Sequence, residues 1–250
     1  KGACSPPSSA AVMGEGIKGW GSYFSGTALV PCLASTTVCC VCIAPAPCYV
    51  VHSMRMVAMK AYGIVGSPIK NGNVDLLVSQ VLKGASSQGA DTEKLYLNAL
   101  NIGPCQSCGV DPYPQHCLFD DDMVLVNSML ETGYVIVLGS PVYFDTVSAQ
   151  TKLMIDRCNC LRPYVEKENG SFGFERRLER KKKGVFIAVA GTGQEFKTIQ
   201  TTVNGFFEWA NVEQVERILY THESDKPGCV REDPAKMEEA FEVGRRVARQ

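Results

Sequence analysis

The pattern of apolar and polar positions changes character near Met59. From there onward, short apolar runs alternate with longer stretches whose apolar residues recur at helical spacing. Residues 61–65 form an apolar run ending at Gly66, as a buried strand would. Over 73–88, Val74, Leu77, Val78, Val81 and Leu82 share one stripe and predict a helix. Residues 91–97 alternate as a second strand, 120–132 predict a helix, and 134–138 form a wholly apolar third strand. A helix is expected over 146–161, a fourth strand over 185–189, a helix over about 194–210 and a fifth strand over 215–221. Asp233 followed by Pro234 starts a last helix, the carboxylate suiting the N-cap and the proline the first helical position.

Strands that are apolar on both faces and alternate with helices imply a parallel sheet covered on both sides. Five of them fit a doubly wound α/β fold of flavodoxin-like order 2-1-3-4-5. Ligands in such sheets bind beyond the carboxyl ends of the strands, at the switch point between the first and third. The search therefore narrows to the loops after Val65, Leu138 and Val189.

Residues 1–58 lack this rhythm; they carry a single acid, Glu15, and are rich in Ser, Ala, Gly, Pro and Cys. The uncharged stretch 28–51 has the length of a membrane span, but Pro31, Pro45 and Pro47 interrupt it. Residues 1–58 read as a leader, whether disordered, targeting or outside the native frame, with Met54, Met56 and Met59 as candidate starts. Residues 59–250 read as the folded domain, expected in the cytoplasm unless the leader directs it to an organelle. The net charge of −1 excludes bulk attraction to nucleic acid or to an anionic membrane surface.

The loop 66–73, Gly-Ser-Pro-Ile-Lys-Asn-Gly-Asn, is polar, holds two glycines and runs into a helix N-terminus. Free N–H groups and the positive end of the helix dipole meet there, which suits a phosphate. Ser67 and Asn73 add side-chain donors and Lys70 a charge. The loop is neither G-x-x-x-x-G-K-[ST] nor G-x-G-x-x-G, so ATP and Rossmann-type dinucleotide binding lose support. After the third strand comes Gly139-Ser140-Pro141-Val142-Tyr143-Phe144, where two rings at the sheet edge could hold a flat conjugated ligand. After the fourth strand, Ala190-Gly191-Thr192-Gly193 allows close approach of backbone to a ligand.

The loop 66–73 resembles the Gly-Ser-Pro-Arg-x-x-Gly-Asn-Thr loop of the NADPH-dependent FMN reductase and iron–sulfur flavoprotein families. The block Ser-Pro-Val-Tyr-Phe at 140–144, followed by Ser148-Ala-x-x-Lys152 and Asp156-Arg157, is similar to the same families and is the most specific signal. Two departures are visible: Lys70 stands one place beyond the usual Arg, and Val74 occupies a position often filled by a hydroxyl residue. The resemblance implies an FMN site. Ser67, Pro68, Lys70, Asn73 and Val74 would lie at the phosphate. Ser140, Pro141, Val142, Tyr143 and Phe144 would embrace the ring, and Ala190, Gly191, Thr192 and Gly193 its pyrimidine end. It further implies a homodimer, with Lys152, Asp156 and Arg157 supporting the site or the dimer contact; surface ion pairs are the alternative for these three.

Cys105-Gln-Ser-Cys108 with Cys117 can chelate a metal or form a redox pair. The related iron–sulfur flavoproteins use a compact Cys-x-x-Cys-x-x-Cys run and a fourth cysteine for a 4Fe–4S cluster; here the third position is Asp111. Three local thiols fall short of four, although His116 could substitute, and no cluster is expected. Cys158 and Cys160 are expected to pack as small apolar residues on a helix. The basic run 175–183 is expected to be a solvated connection, with attraction of the NADPH 2′-phosphate as the alternative.

These readings converge on an NAD(P)H oxidoreductase that passes electrons through FMN to a small acceptor, such as a quinone, a flavin or a metal ion. Catalytic side chains are not required for the hydride step. The alternative is an electron-transfer protein, either a flavodoxin-like carrier or a cluster-bearing flavoprotein.

Overall fold

The computed structural model describes residues 59–249 apart from Tyr113 and Asp225, so the expected leader lies outside the described residues. In chain order the elements are β1 (Lys60–Val65), α1 (Asn73–Ser86), β2 (Asp91–Tyr96), α2 (Met123–Thr132), β3 (Val135–Pro141) and α3 (Ala149–Arg157). There follow β4 (Tyr164–Glu166), β5 (Phe172–Phe174), β6 (Lys182–Gly191), α4 (Lys197–Trp209), β7 (Val212–His222) and α5 (Pro234–Val247).

Five strands pair in parallel in the order β2-β1-β3-β6-β7. Counting only these strands, that is the expected 2-1-3-4-5. Successive side chains of a strand point to opposite faces, and the core divides accordingly. Ile64, Ile136, Leu138, Phe186 and Ala188 pack under α2, α3 and α4. Ala61, Val137, Val185, Ile187 and Val189 pack under α1 and α5. Helices α1 and α5 meet at two glycines. A Cβ added at Gly84 would lie 2.0 Å from the Phe241 carbonyl oxygen, and one at Gly244 would lie 1.9 Å from that of Val81.

The last helix starts as expected, with the Asp233 carboxylate accepting the Lys236 N–H at 3.0 Å. The third helix is shorter than the periodicity implies. Ser148 caps it and Thr146 is held in a turn with Tyr143, while beyond Arg157 the chain tightens into a 3-10 turn over Cys158–Leu161. The antiparallel hairpin β4–β5 was absent from the sequence reading, because three-residue strands are too short to display alternation. Its rings cluster: Tyr164 stacks on Phe172 at 5.6 Å, and Phe174 meets Trp209 edge-on at 5.0 Å.

The basic run is exposed as expected at Glu175, Arg176, Glu179, Arg180 and Lys181, but departs from a solvated connection at Lys182. Strand β6 begins at Lys182, which is only 2% exposed, and its ammonium donates to the carbonyl oxygens of Arg180 and Ala210. Burial, reinforced by Arg180 and Arg176, lowers its pKa to about 8. Arg176 donates to the Asn211 side chain, Arg177 pairs with Asp111, and Lys183 closes on the carbonyls of Val247 and Arg249. The run stitches separate segments together because the pleat of β6 turns one of its lysines inward.

Candidate functional site

Loops from the carboxyl ends of β1, β3, β6 and β7 border one cavity of about 300 Å³. The β1 loop is held from below. Gly66 N–H donates to the Gly139 carbonyl at 2.7 Å, and the Gly66 carbonyl accepts the Ser148 hydroxyl at 2.6 Å. Only glycine fits here, since a Cβ would stand 1.9 Å from Thr151 Oγ1. Helix α1 then begins at Gly72 without a side-chain cap, so its first N–H groups border the cavity unclaimed by any cap. That arrangement is ready for an anion.

Asp75 in the first turn would oppose an anion if its charge were free. It is not: the carboxylate accepts Lys94 Nζ at 2.5 Å, Tyr96 Oη at 3.0 Å and the Asn71 N–H at 2.6 Å. Burial would raise its pKa, but these hydrogen bonds outweigh burial and hold the carboxyl below its ordinary value. The same contacts fix Asn71 in the left-handed region at φ 60°.

Seven of the fourteen sequence-predicted contacts line the cavity: Ser67, Asn73, Val74, Pro141, Val142, Tyr143 and Gly191. The other seven do not. Pro68 and Lys70 face solvent, and Lys70 Nζ sits 5.4 Å over the Tyr96 ring. Ser140 is fully buried and spends its hydroxyl on the backbone of Ser148 and Pro141. Ala190 is buried in the core. Phe144 is 99% exposed, because Phe144 and Asp145 both adopt left-handed backbone in the tight turn closed by Tyr143 and Thr146. Thr192 and Gly193 are exposed, and the Gly191 N–H is taken by Gln194 Oε1 at 2.8 Å.

The Asn73 side chain, expected at a phosphate, turns instead to the segment after β7. Its amide nitrogen donates to Cys229 Sγ at 3.3 Å and its oxygen accepts the Val230 N–H at 3.0 Å. That bond brings in a fourth loop, absent from the sequence reading, from which His222, Ser224 and Lys226 reach the cavity wall. His222 Nδ1 lies 2.7 Å from the Ser224 carbonyl and its ring stacks near Tyr220. The available signal was topological: β7 ends at the same edge of the sheet as the other strands.

A second cavity, of about 330 Å³, is lined by Cys105, Cys108, Cys117 and Cys160. The first three belong to the loop between β2 and α2; Cys160 comes from the 3-10 turn after α3. Cys158 is buried, as expected of a small apolar residue, whereas Cys160 is only half-buried and borders the cavity with Cys117. Burial, with the neighbouring Cys117, Cys105 and Cys108, pushes Cys160 up to about 11. Among the described residues no three His, Cys, Asp or Glu side chains converge as ligands of a single metal ion.

Arg157, read as a site support or a surface pair, is 2% exposed and borders this second cavity. It holds Asp121 through both terminal nitrogens, at 2.5 and 3.0 Å, and donates to Cys117 Sγ at 3.4 Å. Burial raises the Asp121 carboxyl, but hydrogen bonds from Arg157, Gly103 N–H and Met123 N–H win and lower it. Lys152 and Asp156 form an exposed pair at 2.6 Å.

The sequence matches the NADPH-dependent FMN reductase family over residues 59–224. It is 32% identical over 198 residues to an iron–sulfur flavoprotein of Methanocaldococcus jannaschii, a match covering 76% of this chain and 96% of that protein. An iron–sulfur flavoprotein of Methanosarcina thermophila is 31% identical over 146 residues, or 57% of this chain and 70% of the relative. Among solved structures, an NAD(P)H:quinone oxidoreductase from Methanothermobacter marburgensis shares the fold at a TM-score of 0.51 and 15% identity, covering 75% of this chain and 98% of that one. By its matched domain and its sheet order, the chain belongs to the NADPH-dependent FMN reductase family.

Proposed function

We propose that this protein is an FMN-dependent NAD(P)H oxidoreductase that delivers electrons to a small acceptor. The observation that carries this reading is the cavity bordered by the uncapped start of α1 on one side and by Pro141, Val142 and Tyr143 on the other. An anionic end and a flat apolar body are the two features FMN presents.

The residues fit the group. Ser67, whose oxygen accepts the Ile69 N–H at 3.2 Å, keeps its own hydroxyl proton for a phosphate oxygen. The first N–H groups of α1 would add further donors, and Lys226 on the opposing loop supplies the positive charge first sought at Lys70. Val74 lines the same wall without a hydroxyl, leaving that share of recognition to backbone. Tyr143 and Val142 would flank the ring. Bound there, FMN supplies hydride acceptance and electron release, while the protein positions it and limits water around it.

His222 is the one imidazole on the described cavity wall. It would place a hydrogen-bonding group beside the cofactor and act as a positioning residue. A homodimer, as the resemblance implies, would close the site from outside. Among the described residues no helix is long and apolar enough to cross a membrane.

The names of the relatives bring iron–sulfur chemistry as a second reading. Four thiols around one cavity favour it, since such a cluster is held by cysteine thiolates and moves electrons singly. Anaerobic mixing of the FMN-loaded protein with NADPH or NADH tests the first reading. Rapid bleaching of the visible flavin band, restored by a quinone, is the expected result. Failure to bind FMN by calorimetry, or no response to either nicotinamide, would overturn it.

A further inference from the structure

We propose that residues 226–231, fastened to the start of α1, make this site choose a phosphorylated flavin over an unphosphorylated one, with Lys226 carrying the discriminating charge and Asn73 holding it in place. The inference rests on the flavin reading above and names what that site distinguishes.

The β1 loop offers shape without charge. Its lysine, Lys70, stands over the Tyr96 ring and faces solvent, and Ile69 takes the place on the cavity wall. What the loop provides is a set of uncharged donors. These are the first N–H groups of α1 and the hydroxyl of Ser67, which is 6% exposed and whose proton has no acceptor among the described residues. Such donors serve the terminal hydroxyl of a flavin's ribityl chain as well as a phosphate. A phosphate monoester differs from that hydroxyl chiefly in its charge of about −1.5 to −2 at neutral pH. Discrimination therefore calls for a cation.

Among the described residues of the cavity wall, Lys226 is the one lysine, and there is no arginine, aspartate or glutamate. Its ammonium has no acid within ion-pair distance among the described residues, whereas Lys94, Lys152, Lys181 and Lys236 each pair with one. An unmatched cation beside a wall without carboxylates complements an anion. The turn that carries it is tied on both sides. Lys226 N–H donates to Ser224 Oγ at 3.2 Å, and the Lys226 carbonyl accepts the Cys229 N–H at 3.3 Å.

That turn is fastened to the residues that open α1. Gly228, at φ 77°, lets the two backbones approach, since a Cβ there would stand 2.6 Å from the Asn71 carbonyl oxygen. Arg231 donates to the same oxygen at 3.3 Å. The Asn73 side chain, 7% exposed, completes the attachment through Cys229 Sγ at 3.3 Å and the Val230 N–H at 3.0 Å. Asn73 is the first residue of α1, so one side chain sets the distance between the uncapped N–H groups and the turn bearing Lys226. It acts on the ligand through that turn, as a positioning residue. Residues 226–231 lie past residue 224, where the family match ends.

NADPH carries the same phosphate monoester on its 2′ oxygen. Lys226 shares its wall with Ser67 and the start of α1, which assigns the charge to the flavin.

The test is titration of the flavin-free full chain with FMN and with riboflavin, followed by flavin fluorescence at low and high salt. Wild type is expected to bind FMN about a hundredfold more tightly than riboflavin, a gap that narrows as salt screens the charge. Lys226→Met should weaken FMN about tenfold, the scale of one charge-assisted hydrogen bond open to water, and leave riboflavin binding nearly unchanged. Lys226→Arg should recover most of the loss. Asn73→Ala should lower the FMN-to-riboflavin ratio in the same way, whereas a purely structural role would weaken both flavins alike. Circular dichroism of each variant confirms that it is folded. Wild type that binds FMN and riboflavin equally would overturn this proposal and leave the flavin reading standing; wild type that binds neither removes both. An unchanged ratio in Lys226→Met, or a loss that follows Lys70→Met instead, would also overturn it. So would a Lys226→Met variant whose KM rises for NADPH but not NADH while FMN affinity is kept, since the charge would then serve the nicotinamide cofactor.

Discussion

The Ser148 hydroxyl donates to the Gly66 carbonyl oxygen at 2.6 Å, joining two loops that are 82 residues apart in the chain. The Ser148 hydroxyl oxygen also accepts the Thr151 N–H at 3.3 Å and so caps α3. One buried side chain thus sets both the floor of the β1 loop and the start of the helix that follows β3. Ser148→Ala is expected to cost about 1–2 kcal/mol in urea denaturation, from the lost cap and a carbonyl left unpaired. FMN affinity should fall severalfold in a calorimetric titration. Unchanged affinity would mean that the loops keep their positions without this tie.

Asp75 offers a pH-dependent readout of the β1 loop. Its folded pKa lies below the ordinary value of 3.8. The folded state therefore binds fewer protons than the unfolded state in that range. The stabilisation is fully present above the unfolded pKa and is lost as pH falls through the folded one. Asp75→Asn is expected to cost about 3 kcal/mol at neutral pH, because Lys94 and the Asn71 N–H lose a buried carboxylate. Denaturation midpoints measured from pH 6 downward (on the order of four units, spanning the carboxylate range) should show a weaker acid limb in the variant. An identical acid limb would place the titration elsewhere.

Two glycines should respond in opposite directions. Gly66→Ala forces a Cβ to 1.9 Å from Thr151 Oγ1 inside a buried corner, and a loss of about 2–3 kcal/mol is expected. Gly205 lies within α4 with nothing within 4 Å of an added Cβ. Gly205→Ala should stabilise by about 0.5–1 kcal/mol through helix propensity. Thermal melts of the two variants measure both effects, and equal shifts would contradict this reading of their surroundings.

Much of the fold was legible before any coordinates. Five apolar runs and the helical stripes between them supplied the sheet and its order, because buried parallel strands must be apolar on both faces. What periodicity could not reveal were elements too short to repeat, such as β4 and β5, and the inward turn of Lys182, where a strand begins inside a charged run.

The loops nominated from sequence do meet at one cavity, yet only part of each faces it. Backbone composition says that a turn can approach a ligand; it does not say which N–H groups the turn uses for itself, as Gly191 does with Gln194. Nor could it pair Asn73 with Cys229 and Val230, a contact between residues 156 and 157 positions apart.

Local order along the chain determined the element types, their parallel arrangement and the edge where a ligand would bind, because those follow from period and connection length. Tertiary structure alone decided which side chains share a cavity: His222 and Lys226 beside Ser67, and Cys160 beside Cys117. Such meetings are set by helix packing and by buried hydrogen bonds between distant segments, and neither leaves a mark in residue spacing.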